Sequence, residues 1–177
     1  MILDLGSNVG YTIAYFKALY PSSRIIGAEL DRANYELCLK NIKKYSNCRV
    51  FNIAIWKEDG SISYGGPDEQ SYAIGTAMEK TRTVPSFTVQ TLLALSKVKH
   101  VHYLKMDIEG AEIPILRENP AWLDIVDAMR IEVHEQPDTQ VADSIEEVCT
   151  ILTARGFICI KDAGHWSTVV AIRSAQS

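Results

Sequence analysis

The sequence has no long apolar run and no excess of positive charge. No stretch of about 18 consecutive apolar residues occurs along the 177 residues, so no segment has the length and apolarity of a membrane-spanning helix. The 18 Lys and Arg residues are outnumbered by 22 Asp and Glu residues, and the formal net charge is -4. A duplex-binding domain usually carries a clustered basic face. The sequence therefore predicts neither a membrane nor a nucleic acid as a partner.

Cysteine is also sparse, and the four cysteines follow no known motif. Cys38, Cys48, Cys149 and Cys159 include no C-x-x-C pair and have no metal-type spacing with histidine. We expect all four to be small apolar side chains of buried strands and helix faces. Such cysteines, with no visible signal peptide, indicate a reducing compartment, and we expect the protein in the cytoplasm.

Short β-branched runs alternate with longer helical stretches, which is the pattern of an α/β sheet. Seven strands are predicted for the main sheet, at residues 2–5, 24–30, 49–55, 101–107, 128–134, 157–161 and 168–173. Helices are predicted between them at residues 11–19, 33–45, 91–95, 111–117 and 140–155. The expected fold is a doubly wound, mostly parallel seven-stranded sheet. Its helix–strand–strand ending suits an antiparallel last strand.

Two regions depart from this alternation. Residues 57–90 are rich in Gly, Pro, Ser and Thr and are predicted to be mainly loop, with short strands at 61–64 and 86–89. A loop of this length is either functional or a variable surface excursion. Met1 leads directly into the first strand, so we expect residues 1–177 to form a single domain that lacks N-terminal lid or substrate-binding elements.

The turn after the first predicted strand has the composition of a ligand-binding loop. It reads Asp4-Leu5-Gly6-Ser7-Asn8-Val9-Gly10 and lies between a strand and a helix. Glycine allows a tight turn and the close approach of a ligand, and asparagine tolerates the left-handed backbone region. The turn does not match the dinucleotide fingerprint G-x-G-x-x-G. Asp4 would repel a pyrophosphate but would attract the ammonium and sulfonium groups of S-adenosylmethionine.

An acid and an amide end the next two predicted strands. Glu29 ends the second strand, where a carboxylate can bind both hydroxyls of a ribose, a device that NAD and S-adenosylmethionine share. Asn52 and Ala54, at the end of the third strand, are expected beside an adenine edge. Alternatively, Glu29 is a surface acid ahead of a helix and Asn52 begins a turn. The predicted cofactor contacts are Asp4, Gly6, Ser7, Asn8, Gly10, Tyr11, Glu29, Asn52, Ala54 and Asp107.

Ionisable residues also follow the fourth and fifth predicted strands. Asp107 and Glu109 are two residues apart, so they share a side if the strand continues. Glu112 lies in the first turn of the next predicted helix, where it either stabilises the helix or reaches the site. Glu132 and His134 are also two apart and are expected to share a face. A strand inside the sheet has little reason to carry such residues except at a crevice.

Four stretches together resemble the FkbM family of class I methyltransferases. They are DLGSNVGYT (residues 4–12), the acid at Glu29, KMDIEGAE (residues 105–112) and IEVH (residues 131–134), in an order and spacing that agree over nearly the whole chain. SFTVQTLLAL (residues 86–95) is also similar, with Gln90 where an aspartate is more usual.

The resemblance implies a Rossmann-like fold and methyl transfer, typically to oxygen. S-adenosylmethionine would be the donor and S-adenosylhomocysteine the product. The residues that the resemblance places at the cofactor are Gly6, Ser7, Asn8, Gly10 and Glu29, and those at the junction with the substrate are Asp107, Glu109 and Glu112.

The predicted reaction is O-methylation of a hydroxyl group on a small molecule or glycan. A neutral alcohol must lose its proton during the attack, and His134 is the first candidate for the base, followed by Glu109 or Asp107. This interpretation needs no metal. A variant of it places Mg²⁺ or Mn²⁺ on Asp107, Glu132 and His134.

Two other classes of function are open. An oxidoreductase that uses NAD would need a phosphate-binding turn, against which Asp4 and Asn8 argue. A catalytically inactive domain that binds the nucleoside cofactor would share the glycine turn and Glu29 but would methylate no acceptor. The sequence leaves the identity of the acceptor and the oligomeric state open.

Overall fold

A seven-stranded, mostly parallel sheet forms the centre of the molecule. The computed structural model describes residues 1–65, 82–134 and 140–174. The strands of the described residues, numbered along the chain, are β1 (Ile2–Leu5), β2 (Ile25–Glu29), β3 (Cys48–Asn52), β4 (Ala54–Ile55), β5 (Gly60–Tyr64), β6 (Arg82–Phe87), β7 (Val101–Met106), β8 (Val126–Glu132), β9 (Phe157–Lys161) and β10 (Thr168–Arg173). The main sheet has the order β3-β2-β1-β7-β8-β10-β9, and β10 runs antiparallel to both neighbours. This confirms the predicted α/β fold and its antiparallel last strand.

The order of the strands reverses at β1, which lies between β2 and β7. Every residue of β1 and β2 is buried, as expected for parallel strands that are covered on both faces. In open sheets of this kind, ligands bind at the carboxyl ends of the strands beside such a reversal. The carboxyl ends of β1, β2 and β7 therefore mark the place where a ligand site is expected.

Helices pack on both faces of the main sheet. They are α1 (Tyr11–Leu19), α2 (Arg32–Ile42), α3 (Val89–Leu95), α4 (Glu112–Glu118) and α5 (Val141–Ala154), with a 3₁₀ helix at Pro120–Ile125. Ile13 and Cys38 of α1 and α2 pack on one face, whereas Leu92, Leu116 and Leu152 of the other helices join the larger cluster on the opposite face. Within the described ranges, no helix combines the length and apolarity needed to cross a membrane.

The region predicted to be mainly loop contains part of a second, three-stranded sheet, in the order β4-β6-β5. The predicted strand at residues 49–55 was too long, because β3 ends at Asn52 and Ala54 pairs with Ser86 in this second sheet. The predicted strand at residues 86–89 was misplaced, since β6 begins at Arg82 and Val89 already belongs to α3. An apolar run alone does not say to which sheet it belongs. Residues 66–81 lie outside the described residues.

Asp31 connects the second sheet to the main one. Its Oδ1 accepts hydrogen bonds from the amides of Ala33 and Asn34, so it caps the N-terminus of α2. Its Oδ2 accepts from Arg82 Nη1 at 2.7 Å and from the Tyr64 hydroxyl at 3.3 Å. The hairpin of β5 and β6 is thereby held beside the carboxyl end of β2.

Cys149 and Cys159 form a disulfide that joins α5 to β9. The prediction that all four cysteines are separate apolar side chains is therefore wrong for this pair. Their contact arises from the packing of α5 on β9, which the spacing of the cysteines does not reveal. Cys38 and Cys48 are free, and Cys38 is buried as expected. Because disulfides persist mainly in oxidising compartments, the cysteines no longer support the predicted cytoplasmic location.

Candidate active site

A cleft opens at the carboxyl ends of β1, β2 and β7. Its lining comprises Gly6, Asn8, Ala28, Glu29, Leu30, Asn34, Ile53, Ala54, Ile55, Asp107, Ile108 and Glu109. The predicted site residues in this lining are Gly6, Asn8, Glu29, Ala54, Asp107 and Glu109. The glycine turn, the acid of β2 and the acidic turn after β7 therefore meet in one place.

The glycine turn depends on left-handed backbone at three positions. Gly6, Asn8 and Gly10 have φ angles of 81°, 46° and 84°, so Asn8 adopts the conformation expected of it. A Cβ atom on Gly6 would lie 1.7 Å from the carbonyl oxygen of Asp107. The turn after β1 thus packs directly against the turn after β7, with no space for a side chain between them.

Glu29 is a fixed carboxylate at the end of β2. Its Oε1 accepts a hydrogen bond from the amide of Asp31 and its Oε2 accepts one from the amide of Asn8, each at 2.8 Å. Burial raises the pKa of the Glu29 carboxyl, while these two hydrogen bonds act in the opposite direction. A carboxylate has about four acceptor positions, so acceptor capacity is left for hydroxyl groups in the cleft.

The other predicted cofactor contacts lie outside the lining of the cleft. Ser7 donates a hydrogen bond from Oγ to the carbonyl oxygen of Asp4, and Gly10 packs against Cys38. Asn52 donates from Nδ2 to the carbonyl oxygens of Glu29 and Leu30 at 2.9 Å, so it holds the end of β2. Tyr11 is highly exposed at the start of α1. For these residues, including Asp4, contact with a cofactor stays a prediction.

Lys105 lies beside the cleft and was not among the residues predicted from the sequence. Its Nζ donates to the carbonyl oxygen of Gly6 at 2.6 Å and lies 3.1 Å from Asp107 Oδ2 and 4.0 Å from Asp4 Oδ1. It joins the turns after β1 and β7. A signal was present, because a lysine in a strand that is expected to be buried on both faces requires partners.

An acid–imidazole cluster occupies the end of the cleft beside β7. His134 Nε2 lies 3.5 Å from Glu109 Oε2 and 3.9 Å from Asp107 Oδ1, and His134 Nδ1 lies 3.0 Å from Glu112 Oε1. Burial alone would lower the pKa of His134, but the hydrogen bond and charge of Glu112, with the charges of Glu109 and Asp107, raise it to about 9. Burial also raises the pKa of Glu109. The three predicted catalytic residues are therefore neighbours.

Glu112 is the buried member of this cluster. It is fully buried, and its carboxylate accepts hydrogen bonds from the amides of Ile108 and Gly110, each at 3.1 Å, as well as contacting His134. Glu109, between those amides, has a φ angle of 56°. Glu112 therefore lies at the start of α4, as the helix-stabilising interpretation expects, and also contacts His134, so both interpretations of this residue stay open.

Glu132 does not join the cluster as the metal variant required. β8 ends at Glu132, and its carboxylate lies 4.0 Å from His165 Nε2. Among the described residues, the group that brings ligand atoms within 4.8 Å of one another beside the cleft is Asp107, Glu109 and His134. Glu109 takes the place of Glu132 because the chain turns back after Met106 instead of continuing as a strand.

Asp4 lies buried beneath the glycine turn, and we expect it to make stability depend on pH. Within the described ranges, its carboxylate oxygens have no hydrogen-bond partner, and burial raises its pKa from 3.8 to about 6. Between pH 4 and 6 the folded state then binds more protons than the unfolded state, so the free energy of unfolding falls as pH rises through this window.

The variant Asp4→Asn removes this effect. We expect it to be more stable than the wild type at pH 7.5, by up to about 3 kcal/mol, and equally stable near pH 4. Urea denaturation at pH 4 and pH 7.5 measures the difference. A loss of stability at pH 7.5 would instead show that the pairing of Asp4 with Lys105 outweighs its desolvation.

The reversal of strand order, the acid of β2 and the acidic turn after β7 define a domain of class I methyltransferase type. The chain belongs to the FkbM methyltransferase domain family, whose model matches residues 4–159. This confirms the predicted family and the prediction of a methyltransferase. The chain is 24% identical over 193 residues to Methyltransferase 1 of Beauveria bassiana (strain ARSEF 2860), covering 94% of this chain and 75% of that protein.

Solved structures agree in fold. A Streptococcus pneumoniae protein, Sp1610, described as a candidate tRNA (m1A22) methyltransferase in complex with S-adenosyl-L-methionine, matches with a TM-score of 0.56 and 13% identity. A candidate caffeoyl-CoA O-methyltransferase of Staphylococcus aureus matches with a TM-score of 0.58 and 9% identity. The matches cover 99% and 98% of this chain, and 66% and 75% of those chains, respectively. The fold is thus shared by proteins with different acceptors.

Proposed function

We propose that this domain transfers a methyl group from S-adenosylmethionine to a hydroxyl oxygen of a small molecule or glycan. The observation that carries the proposal is the fixed carboxylate of Glu29, which lines the cleft beside the glycine turn. A carboxylate at the end of the second strand is suited to bind both hydroxyls of a ribose. Ala54, further along the same cleft, would contact the adenine.

The charge of the cleft favours a cationic cofactor over a dinucleotide. Asp107 and Glu109 line the cleft together with Glu29, and Asp4 lies buried beneath the turn. A pyrophosphate would be repelled there, whereas the ammonium and sulfonium groups of S-adenosylmethionine would be attracted. The neighbour Sp1610, which binds S-adenosyl-L-methionine, supports the same cofactor.

The same charges favour an uncharged acceptor. Nucleic-acid binding depends on neutralising phosphates with Lys and Arg. The cleft instead presents the carboxylates of Asp107 and Glu109. A hydroxyl group of a sugar or another small molecule meets no such repulsion, so we do not expect RNA to be the acceptor.

The reaction would be an in-line displacement in which the hydroxyl oxygen attacks the methyl carbon and sulfur leaves as a neutral thioether. Holding the three atoms in line can supply roughly 7–11 kcal/mol. The hydroxyl proton would pass to Glu109 or Asp107, because these carboxylates line the cleft, whereas His134 stands behind them. His134 would then orient the carboxylates and balance their charge.

Calorimetric titration with S-adenosylmethionine, S-adenosylhomocysteine and NAD tests the cofactor. We expect micromolar binding of the first two and none of NAD. Glu29→Gln should weaken both by about 10- to 100-fold, because hydrogen bonds to a charged group contribute about 1.5–3 kcal/mol. Glu36→Gln is the matched control, since Glu36 is an exposed acid of α2 that pairs with Arg32. Equal binding by Glu29→Gln would contradict the ribose role.

An acceptor screen with methyl-labelled cofactor completes the test. Labelled sugars or polyketide-type alcohols would support the proposed acceptor class, whereas labelled RNA would overturn it. Cofactor binding without transfer to any acceptor would favour the catalytically inactive domain.

A further inference from the structure

The acid–imidazole cluster at the end of the cleft has the arrangement of a metal site. We propose that Asp107, Glu109 and His134 bind one divalent cation of the Mn²⁺ or Mg²⁺ type. The proposal rests on the proposed function only for the role of the ion, which would lie beside the acceptor hydroxyl and lower its pKa. With the ion bound, Asp107 and Glu109 would act as its ligands and not as the proton acceptor. The binding itself can be measured without cofactor or acceptor.

The separations of the donor atoms are longer than direct hydrogen bonds and leave room for a shared ion. His134 Nε2 is 3.5 Å from Glu109 Oε2 and 3.9 Å from Asp107 Oδ1, beyond the usual range of about 2.7–3.2 Å. Ligands at about 2.0–2.1 Å from an octahedral ion lie about 2.9 Å apart when adjacent and about 4.2 Å apart when opposite. Both separations fall between these limits, and all three ligand atoms lie within 4.8 Å of one another.

The imidazole is held in the orientation that a metal ligand requires. A metal-binding histidine almost always donates its second ring N–H to a carboxylate or carbonyl group, which fixes its tautomer. Here Glu112 Oε1 lies 3.0 Å from Nδ1, so Nε2 is the nitrogen that faces Glu109 and Asp107. Glu112 is itself fully buried and held by two amides. This orienting contact is independent of the two carboxylates that would bind the ion.

The charge of the cluster and its exposure to solvent also favour a bound cation. Three carboxylates, of Asp107, Glu109 and Glu112, surround His134, and Lys105 also pairs with Asp107. A divalent ion would neutralise this excess of negative charge. Half of the Glu109 side chain is exposed, so an ion can enter from solvent. Two carboxylates and one imidazole are ligands that suit Mn²⁺, and oxygen-rich sites also suit Mg²⁺.

A second group with metal-ligand potential lies at the start of β7 and on β8, and its binding must be excluded from the measurement. His100, His102 and Asp127 also bring ligand atoms within 4.8 Å of one another. His100 and His102 are exposed, and the imidazole of His102 is hydrogen-bonded to the amino group of Met1. The experiment is therefore carried out on the full chain with the background substitution His102→Gln.

Binding of Mn²⁺ is followed by electron paramagnetic resonance of the free ion at pH 7.5, without cofactor. We expect one bound Mn²⁺ per chain, displaced by excess Mg²⁺. Glu109→Gln and His134→Gln should abolish binding or weaken it by at least tenfold. Glu112→Gln, which removes the charge of the orienting residue and no ligand, should weaken Mn²⁺ binding by about 10- to 100-fold. Glu132→Gln, an acid of β8 that faces His165, is the control and should bind as the background does.

Circular dichroism checks that each variant is folded. No bound Mn²⁺ at millimolar concentration in the folded background protein would overturn the proposal, as would binding that survives both Glu109→Gln and His134→Gln. Mn²⁺ binding in a protein that binds no S-adenosylmethionine would leave the metal site standing and contradict the proposed function. S-adenosylmethionine binding in a protein that binds no Mn²⁺ would overturn the metal site and leave the proposed function standing.

Discussion

Replacing Gly6 by alanine is expected to disrupt the cleft and to lower the free energy of unfolding by about 2–5 kcal/mol. The added Cβ would lie 1.7 Å from the carbonyl oxygen of Asp107, so the turns after β1 and β7 would have to separate. Overpacking typically costs about 1–3 kcal/mol, and left-handed backbone in a residue with a side chain about 1–2 kcal/mol. Separation would also break the hydrogen bond from Lys105 Nζ to the Gly6 carbonyl.

Urea denaturation and a titration with S-adenosylmethionine measure the two effects of Gly6→Ala. The matched control is Gly164→Ala, because Gly164 is exposed and its added Cβ would meet only Asp162 Oδ1, at 3.4 Å. We expect the control to stay within about 0.5 kcal/mol of the wild type. Wild-type stability and cofactor binding in Gly6→Ala would show that the two turns are not packed as described.

The variant Glu112→Ala is expected to lose about 2–4 kcal/mol of stability, because removing the acceptor of a buried donor typically costs about 1–3 kcal/mol. Here His134 would lose its closest carboxylate, and the amides of Ile108 and Gly110 would lose this acceptor. Because those amides set the path of residues 107–111, the position of Glu109 would change as well.

Two variants show whether the loss in Glu112→Ala has this cause. Glu112→Gln keeps an acceptor oxygen and nearly the same volume, so chemical denaturation should show a clearly smaller loss. Glu118→Ala, at the exposed end of the same helix, should change stability by less than about 0.5 kcal/mol. Equal losses in the alanine and glutamine variants would mean that the charge of Glu112, and not its hydrogen bonds to the turn, is what the fold requires.

The glycine turn and Glu29 were predictable because their signals are local. A strand, a turn rich in glycine and a helix follow within the first 19 residues, and the parallel pairing of β1 and β2 then brings Glu29 to the same edge. The amide of Asn8 donates a hydrogen bond to Glu29 Oε2. The order of the strands alone implies that these two residues lie close together. The α/β fold was predictable for the same reason, since each helix and strand carries its own local pattern of apolar residues.

The acidic turn was predicted by an argument that applies only to strands. Asp107 and Glu109 were expected to share a side of a continuing strand, but β7 ends at Met106 and the left-handed backbone of Glu109 brings the two together instead. Period-two spacing likewise grouped Glu132 with His134. Glu112 decides where His134 lies, and 22 residues separate them in the sequence. Contacts of this kind depend on tertiary packing, so no local pattern reports them.

The sharing of Asp31 between two sheets constrains how this domain can diverge. One oxygen of Asp31 starts α2 next to Glu29, and the other accepts from Arg82 and Tyr64 of the hairpin. A hairpin of another length or twist can replace β5 and β6 only if it again supplies a cation and a hydroxyl at this carboxylate. Substitutions at positions 31, 64 and 82 should therefore be inherited together, and variation in the second sheet should accumulate away from them.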